Sequence, residues 1–495
     1  MNRTTLSLIA CTVALAAVTG FAAFDPPAAT GAGAAGNATE RPVERTGLLC
    51  PAPSFSDIAD TAYTSFTPVT QGAGSGGQAA LEAAAEQSPD GKGAKGGGKK
   101  DKPVLTPKPP GSPAVGDTSG SDAPALIGTA DGKYAPGWTV QETTRIAAGT
   151  GRGLQGVTCT PADTDFWFPG ASTAEGRTDY VHLTNPDDAA AVVDIKLYGK
   201  GGPLKSAVAD GITVPPHSSE PVLLSTLTDD PQTDLTVHVG VRSGRVAATV
   251  QAQDDAGGGD WLPASADPAG SLVLPGIPKD ATDVRLVAFT PGDDDADLKV
   301  RLASPDGSIT PAGNETVHVK AGMTTAVDLG PVTRGEPGSL LLTPTDDAVP
   351  VVAALRVVRG KGARQETAYI PATAPVGRRA TAADNSAKGS ILSLTAPTGN
   401  ATVKVTASAG SEGGSPATKT YTIKSGTSQD ISAPAAGKGT YALTVEPVSG
   451  GPVYAARTLT GATDGVSGFT IQTLPSDRGL VAVPRAEQDL SVLQR

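Results

Sequence analysis

A pattern about 100 residues long recurs along the chain, and a repeat of that length restricts the fold more than any other feature. Leu183-Thr184-Asn185-Pro186 returns as Ala288-Phe289-Thr290-Pro291 and again as Leu394-Thr395-Ala396-Pro397. After each, a few polar residues lead into an alternating run: Val193, Ile195 and Leu197; Leu298, Val300 and Leu302; Val403, Val405 and Ala407. Side chains alternate across a strand, so each set lines one face, while Asp194 and Lys196, Lys299 and Arg301, Lys404 and Thr406 line the other. Ile212-Thr213-Val214, Val317-His318-Val319 and Tyr421-Thr422-Ile423 follow, each before a turn. Val246-Ala247-Ala248, Val352-Ala353-Ala354 and Tyr454-Ala455-Ala456 come last. A unit of this size can bury its own core, unlike a solenoid repeat or a propeller blade.

Short apolar runs stopped by proline punctuate the chain. Phe166-Trp167-Phe168-Pro169-Gly170 is echoed by Leu272-Val273-Leu274-Pro275-Gly276, Ala368-Tyr369-Ile370-Pro371, Val481-Ala482-Val483-Pro484 and Leu48-Leu49-Cys50-Pro51. Each reads as a strand near a unit boundary, with the proline at its end or edge. Trp138, Trp167 and Trp261 together could form a sugar-stacking platform, but a lone Trp in a sandwich more often packs a core, which is the expected place for Trp167.

Gly (61) and Pro (42) are too abundant for long helices. The expected fold is all-β: a row of tandem immunoglobulin-like β-sandwich units behind an N-terminal transmembrane helix. The domains read as a signal or anchor helix (1–24), a linker (25–44), an irregular β unit (45–160), and sandwiches over 161–265, 266–365 and 366–495, the last with a C-terminal strand. Residues 72–122 read as a disordered insertion in the irregular unit, with a brief helix over 78–87, because Gly/Ala/Pro/Ser/Lys stretches cannot bury an apolar face.

Arg3 precedes an uncharged run from Thr5 to Phe24, long enough as a helix to span a bilayer core of ~30 Å. The basic end stays inside, which predicts a single-pass membrane protein with its bulk extracytoplasmic; the alternative is a secreted protein with a cleaved signal. Length favours the retained anchor. Leu8-Ile9-Ala10-Cys11 has the form of a lipobox, but the apolar run continues past Cys11, which argues against lipidation. Cys50 and Cys159 then read as one disulfide of an exported domain, tying the irregular unit together.

The net charge of −11 excludes nucleic acid as the main partner. Two GxGxxG matches, at Gly31, Gly33 and Gly36 and at Gly151, Gly153 and Gly156, lack the βαβ context of a dinucleotide site. His182, His217, His238 and His318 form no metal-ligand spacing and read as surface or strand residues. Asp293, Asp294, Asp295 and Asp297 lack a calcium-loop pattern and read as a solvated turn. The lysines from Lys92 to Lys108 read as a solvated tether. No catalytic, cofactor-binding or metal residue is identified, and no cofactor is expected.

The run Trp167-Phe168-Pro169-Gly170-Ala171-Ser172-Thr173, then Leu183-Thr184-Asn185-Pro186, the alternating strand and Gly201-Gly202, resembles a family of exported, membrane-anchored actinobacterial proteins of uncharacterised function. The resemblance implies a cell-envelope location and supplies no functional residues. The expected function is a non-enzymatic extracytoplasmic spacer, adhesive or assembly module. The alternative is a binding accessory for cell-wall polysaccharide or its export machinery. Expected partners are the membrane, through the N-terminal helix, and cell-wall polymer or envelope proteins.

Overall fold

The structure, a computed structural model, describes residues 39–86, 103–206, 208–434, 437–463 and 466–484. The anchor segment and its Cys11 lie outside these residues, as do the first GxGxxG match and the lysines of 92–102. The described residues are all-β: strands, three short 3-10 turns and no α-helix. Two compact units are present. In the smaller, Thr39–Pro42 pairs antiparallel with Leu480–Val483. The larger runs from Val43 to Gly479.

Within the larger unit one seven-strand plan is built four times. In repeat 2 the strands are Asp165–Ala171, Arg177–Thr184, Ala191–Gly199, Ser218–Leu223, Leu235–Ser243, Ala247–Asp254 and Gly258–Leu262. The first, fifth and third strands make one sheet in that order; the fourth, second, sixth and seventh make the other. Repeat 3 follows the same order with Leu272–Ile277, Ala281–Phe289, Ala296–Ser304, Thr324–Asp328, Gly338–Pro344, Val352–Arg359 and Glu366–Pro371. Repeat 4 does so with Ala380–Asn385, Ser390–Ala396, Ala401–Ala407, Thr427–Ile431, Tyr441–Gly450, Tyr454–Thr463 and Val466–Thr473. Each pair of sheets encloses its own apolar core. The third strands alternate as read: Val193, Ile195 and Leu197 are buried, as are their counterparts in the next two repeats.

Repeat 1 is a full copy of this plan. Its strands are Arg45–Cys50, Ala59–Phe66, Ala79–Ala83, Ala114–Ser119, Leu126–Asp131, Thr139–Ile146 and Gly153–Thr158, and they pair in the same order. The expectation of a disordered insertion over 72–122 is therefore corrected for the residues described there. Ala79–Ala83 is the third strand and not a helix, Ala114–Ser119 is the fourth, and Leu105 bridges to Leu81. Leu81 and Leu105 are both buried, so two leucines suffice to dock this Gly-rich stretch on the core.

Two boundaries also move. Ala368-Tyr369-Ile370-Pro371 belongs to the seventh strand of repeat 3, so that repeat extends past 365, and Leu480–Val483 pairs with Thr39–Pro42 instead of joining repeat 4. Proline cannot donate to a ladder and so favours sheet edges, and first and seventh strands are both edge strands, so the apolar-run-plus-proline pattern cannot tell them apart. Register also shows that Ala247 takes the place of Val352 and Tyr454: they face Thr184, Phe289 and Thr395 respectively.

The repeats form a closed ring and not a row. The four seventh strands pack on one another in cyclic order, so that repeat 4 meets repeat 1. The first strand of repeat 2 lies on the sixth of repeat 3, the first of repeat 3 on the sixth of repeat 4, and the first of repeat 4 on the sixth of repeat 1. Gly156 makes one crossing possible: a Cβ there would come within 2.5 Å of Gln472 Nε2 and 2.7 Å of Thr470. The second glycine motif thus serves a close approach of strands.

Candidate functional site

Three of the four junctions are filled by side chains at repeated positions. Trp167 points outward from the first strand of repeat 2 and packs on Phe289 and Val352 of repeat 3, with ring centroids of Trp167 and Phe289 5.4 Å apart. It fills a junction, therefore, and not the sandwich core. Phe166 and Phe168, on the other side of the strand, fill the core. At the next junction Val273 and Leu341 meet Tyr454. At the closing junction Ala383 and Ala442 meet Phe66. Phe66 and Phe289 hold the same place at the end of the second strand, as do Val352 and Tyr454 at the start of the sixth.

The junction between repeats 1 and 2 has small residues at these places. Thr184 stands where Phe66 and Phe289 do, and Ala247 where Val352 and Tyr454 do. With the outward-facing Leu49 they border a cavity of about 660 Å³. Its wall includes the segments that follow each of the four repeats, through Thr160, Ser265, Thr373 and Ser476. A smaller hollow of about 530 Å³ lies between repeats 3 and 4, where Arg359 and Asp280 pair with each other.

Two residues of the cavity wall carry buried polar atoms without partners. His182 is fully buried in its wall, and neither ring nitrogen has a partner in good hydrogen-bond geometry, although the Gln251 carboxamide lies beside the ring. The imidazole is wedged against Trp261 and Phe55, at 5.1 and 5.7 Å between ring centroids. Burial lowers its pKa to about 4, with the Gln251 carboxamide partly offsetting the effect, so the ring is neutral at physiological pH. Ser265 Oγ, also on the wall, is buried and unpartnered. Asp163, Asp165, Asp267 and Asp477 border the cavity. Asp165 already accepts a bond from Trp167 Nε1 (3.0 Å) and meets His238 Nε2 (2.6 Å), while Asp477 pairs with Arg379.

A buried polar network ties the seventh strands together. Asp260 Oδ1 accepts from Gly156 N (2.9 Å) and Thr470 Oγ1 (3.0 Å), and Gln472 Nε2 donates to Gly156 O (3.1 Å). Gln251 Nε2 donates to Gln155 Oε1 (3.2 Å) and to Pro53 O (3.1 Å). Arg177 Nη2 donates both to Asp179 and to the Tyr369 hydroxyl of repeat 3, at 2.9 and 3.0 Å.

The other residues singled out in the sequence lie apart from this cavity or in other roles. Cys50 and Cys159 form a disulfide, and Cys159 reaches the cavity wall. His217 pairs with Asp188, and His318 with Asp297 and Asp295. Trp138 packs in the core of repeat 1 and donates to Ser65 Oγ (2.9 Å). His182 lies in a strand, as read, but it is buried there. The run Tyr180-Val181-His182-Leu183 gives no sign that the outer side of the strand is covered, because the covering residue, Phe55, comes from a different repeat.

Residues 114–434 match a family of unknown function, DUF5719. The chain belongs to this family. The DUF5719 match begins at the fourth strand of repeat 1 and ends after the fourth strand of repeat 4. His182, Thr184, Ala247 and Ser265 fall inside it, whereas Leu49 and Asp477 fall outside. No curated protein matches this DUF5719 chain.

Proposed function

We propose that this DUF5719 protein is a non-enzymatic binding module of an actinobacterial cell envelope. Its apolar N-terminal run, Thr5 to Phe24, holds it at the membrane with the bulk extracytoplasmic. Its repeats are immunoglobulin-like in size and two-sheet layering, with a strand pairing of their own. The reading rests on one observation: the junction between repeats 1 and 2 is left open by Thr184 and Ala247, and the wall of the resulting cavity includes two residues, His182 and Ser265, whose buried polar atoms have no partner. Buried polar groups without partners are costly, so a ligand that satisfies them gains affinity.

The wall chemistry suits a hydroxyl-rich ligand such as a segment of neutral cell-wall polysaccharide. Carboxylates accept from sugar hydroxyls, threonine and serine hydroxyls do both, and Trp138, Phe166 and Tyr454 supply apolar surface. The acidic border disfavours polyanions. A spacer would set its units end to end, and closure of repeat 4 on repeat 1 removes that length; the binding reading takes precedence for this reason.

The test is binding of the purified full chain to isolated wall polysaccharide, against the double variant Thr184→Phe/Ala247→Tyr. These substitutions supply the aromatic residues found at the closed junctions. Retention of neutral polysaccharide by the wild type and its loss in the variant is the expected result. No binding by the wild type, or equal binding by both, would overturn the proposal. Recovery of the protein in the medium as a form beginning near Asp25 would overturn the membrane anchor.

A further inference from the structure

Glu142 stands inside the sandwich of repeat 1, on the sixth strand, where repeats 2 and 3 have Val250 and Leu355. It is fully buried, and neither carboxyl oxygen has a hydrogen-bond partner. A carboxyl oxygen of Glu142 and the sulfur atoms of Cys50 and Cys159 all lie within 4.8 Å of one another. Tyr63, opposite Glu142 on the neighbouring strand, is also buried with an unpartnered hydroxyl. Burial holds the Glu142 carboxyl well above the usual carboxylate range and pushes the Tyr63 phenol up as well, the nearby Glu142 adding to the effect. Burial therefore favours the neutral form of both.

The two sulfurs differ in access. Cys159 forms part of the cavity wall, while Cys50 is completely buried and does not line it. Of the two, Cys159 is therefore the cysteine next to the cavity, with its side chain packed in the core of repeat 1. The carboxyl group is of no use to packing, since aliphatic residues fill the same place in two other repeats. Its position beside the sulfurs is what requires explanation.

We propose that the Cys50–Cys159 disulfide is a thiol–disulfide exchange site, reached through the cavity and served by Glu142 as proton donor. The co-reactant is a dithiol. One of its thiolates attacks Cys159 Sγ, the S–S bond breaks, and the electron pair leaves on Cys50 Sγ. Glu142 gives its proton to that sulfur. The second thiolate of the co-reactant then attacks its own first sulfur in the mixed disulfide, releasing Cys159. The two protons lost by the dithiol return to Cys159 and Glu142. The protein disulfide is thereby reduced to two thiols, and the dithiol is oxidised to a cyclic disulfide. None of these steps depends on which ligand the cavity otherwise takes.

Dithiothreitol reduction of the folded full chain tests this, with free thiols counted over time and the fold followed by circular dichroism. The expected rate rises in proportion to dithiothreitol concentration while the fold persists. Glu142→Gln should slow it at least tenfold at pH 7, and Thr184→Phe/Ala247→Tyr should slow it by blocking entry. A wild-type rate independent of dithiothreitol concentration would show that only opening of the fold exposes the disulfide, and would overturn the proposal without any variant. Wild-type rates in a folded Glu142→Gln protein would overturn the role of Glu142.

Discussion

Glu142 and Arg457 hold the same position in two different repeats, three residues along the sixth strand from Thr139 and Tyr454, and neither finds a hydrogen-bond partner. Both are fully buried. Asp384 and Asp260 lie close enough to Arg457 to favour its charge, yet burial still lowers its pKa to about 10. The corresponding residues Val250 and Leu355 show that the fold itself asks for an aliphatic side chain here. Polar groups in such a place cost stability unless fully satisfied.

Arg457→Leu and Glu142→Leu are accordingly expected to stabilise the protein, each by about 1–4 kcal/mol. Urea denaturation would show this as a higher midpoint at unchanged slope. A loss of stability in both variants would mean that these groups are satisfied in solution.

His182 predicts an acid-side loss of stability. Its folded-state pKa of about 4 lies below the ordinary 6.5, so the unfolded chain binds more protons between those values. The contribution is complete above pH 6.5 and disappears as pH falls toward 4. It amounts to about 3 kcal/mol. His182→Val, matching Val287 at the same place in repeat 3, should flatten this part of the stability curve. Identical pH profiles for wild type and variant would contradict the assignment.

Gly156 should tolerate no side chain. Alanine there would push against Gln472, Thr470 and the bond from Gln472 to the Gly156 carbonyl, which join repeats 1 and 4. Gly156→Ala should cost about 1–3 kcal/mol. Gly201→Ala is the control, because nothing lies within 4 Å of a Cβ there. Thermal melts of the two variants would separate a strand crossing from an ordinary loop glycine.

Trp167→Ala should be costly although Trp167 contributes nothing to its own sandwich core. It removes the aromatic contact with Phe289 that joins repeats 2 and 3, at about 3 kcal/mol or more. Limited proteolysis should then cut first near the 263–271 connection. Wild-type resistance would mean that the remaining contacts hold the junction alone.

The sequence was most legible where one physical demand acts alone. Val193, Ile195 and Leu197 alternate because one sheet face meets an apolar core and the other meets water, and the same demand recurs in repeats 3 and 4. Repeat 1 was legible only as an irregular β unit, because Gly-rich segments surround Leu81 and Leu105. Even so, Phe66-Thr67-Pro68 ends its second strand in the manner of Phe289-Thr290-Pro291. The ring was illegible for a related reason. Gln141, Gln251 and Gln472 look like solvent-facing positions, yet all three are buried, because the polar faces of neighbouring repeats satisfy one another across the ring. Polarity marks a need for hydrogen bonds and does not say whether water supplies them. The cavity was hidden in the same way, since small residues at Thr184 and Ala247 acquire meaning only beside the larger ones at the other junctions.

Val43 N donates to Gly479 O at 3.1 Å, so the ring begins and ends at one place. Together with the contact of repeat 4 on repeat 1, this makes the order of the repeats a matter of where the chain is cut. A circular permutant that joined these two residues and opened the connection at 372–379 would keep every junction described above. The body thus behaves less like a string of beads than like a barrel of four staves. No stave stands at the end, and the gap between two of them is a built-in opening.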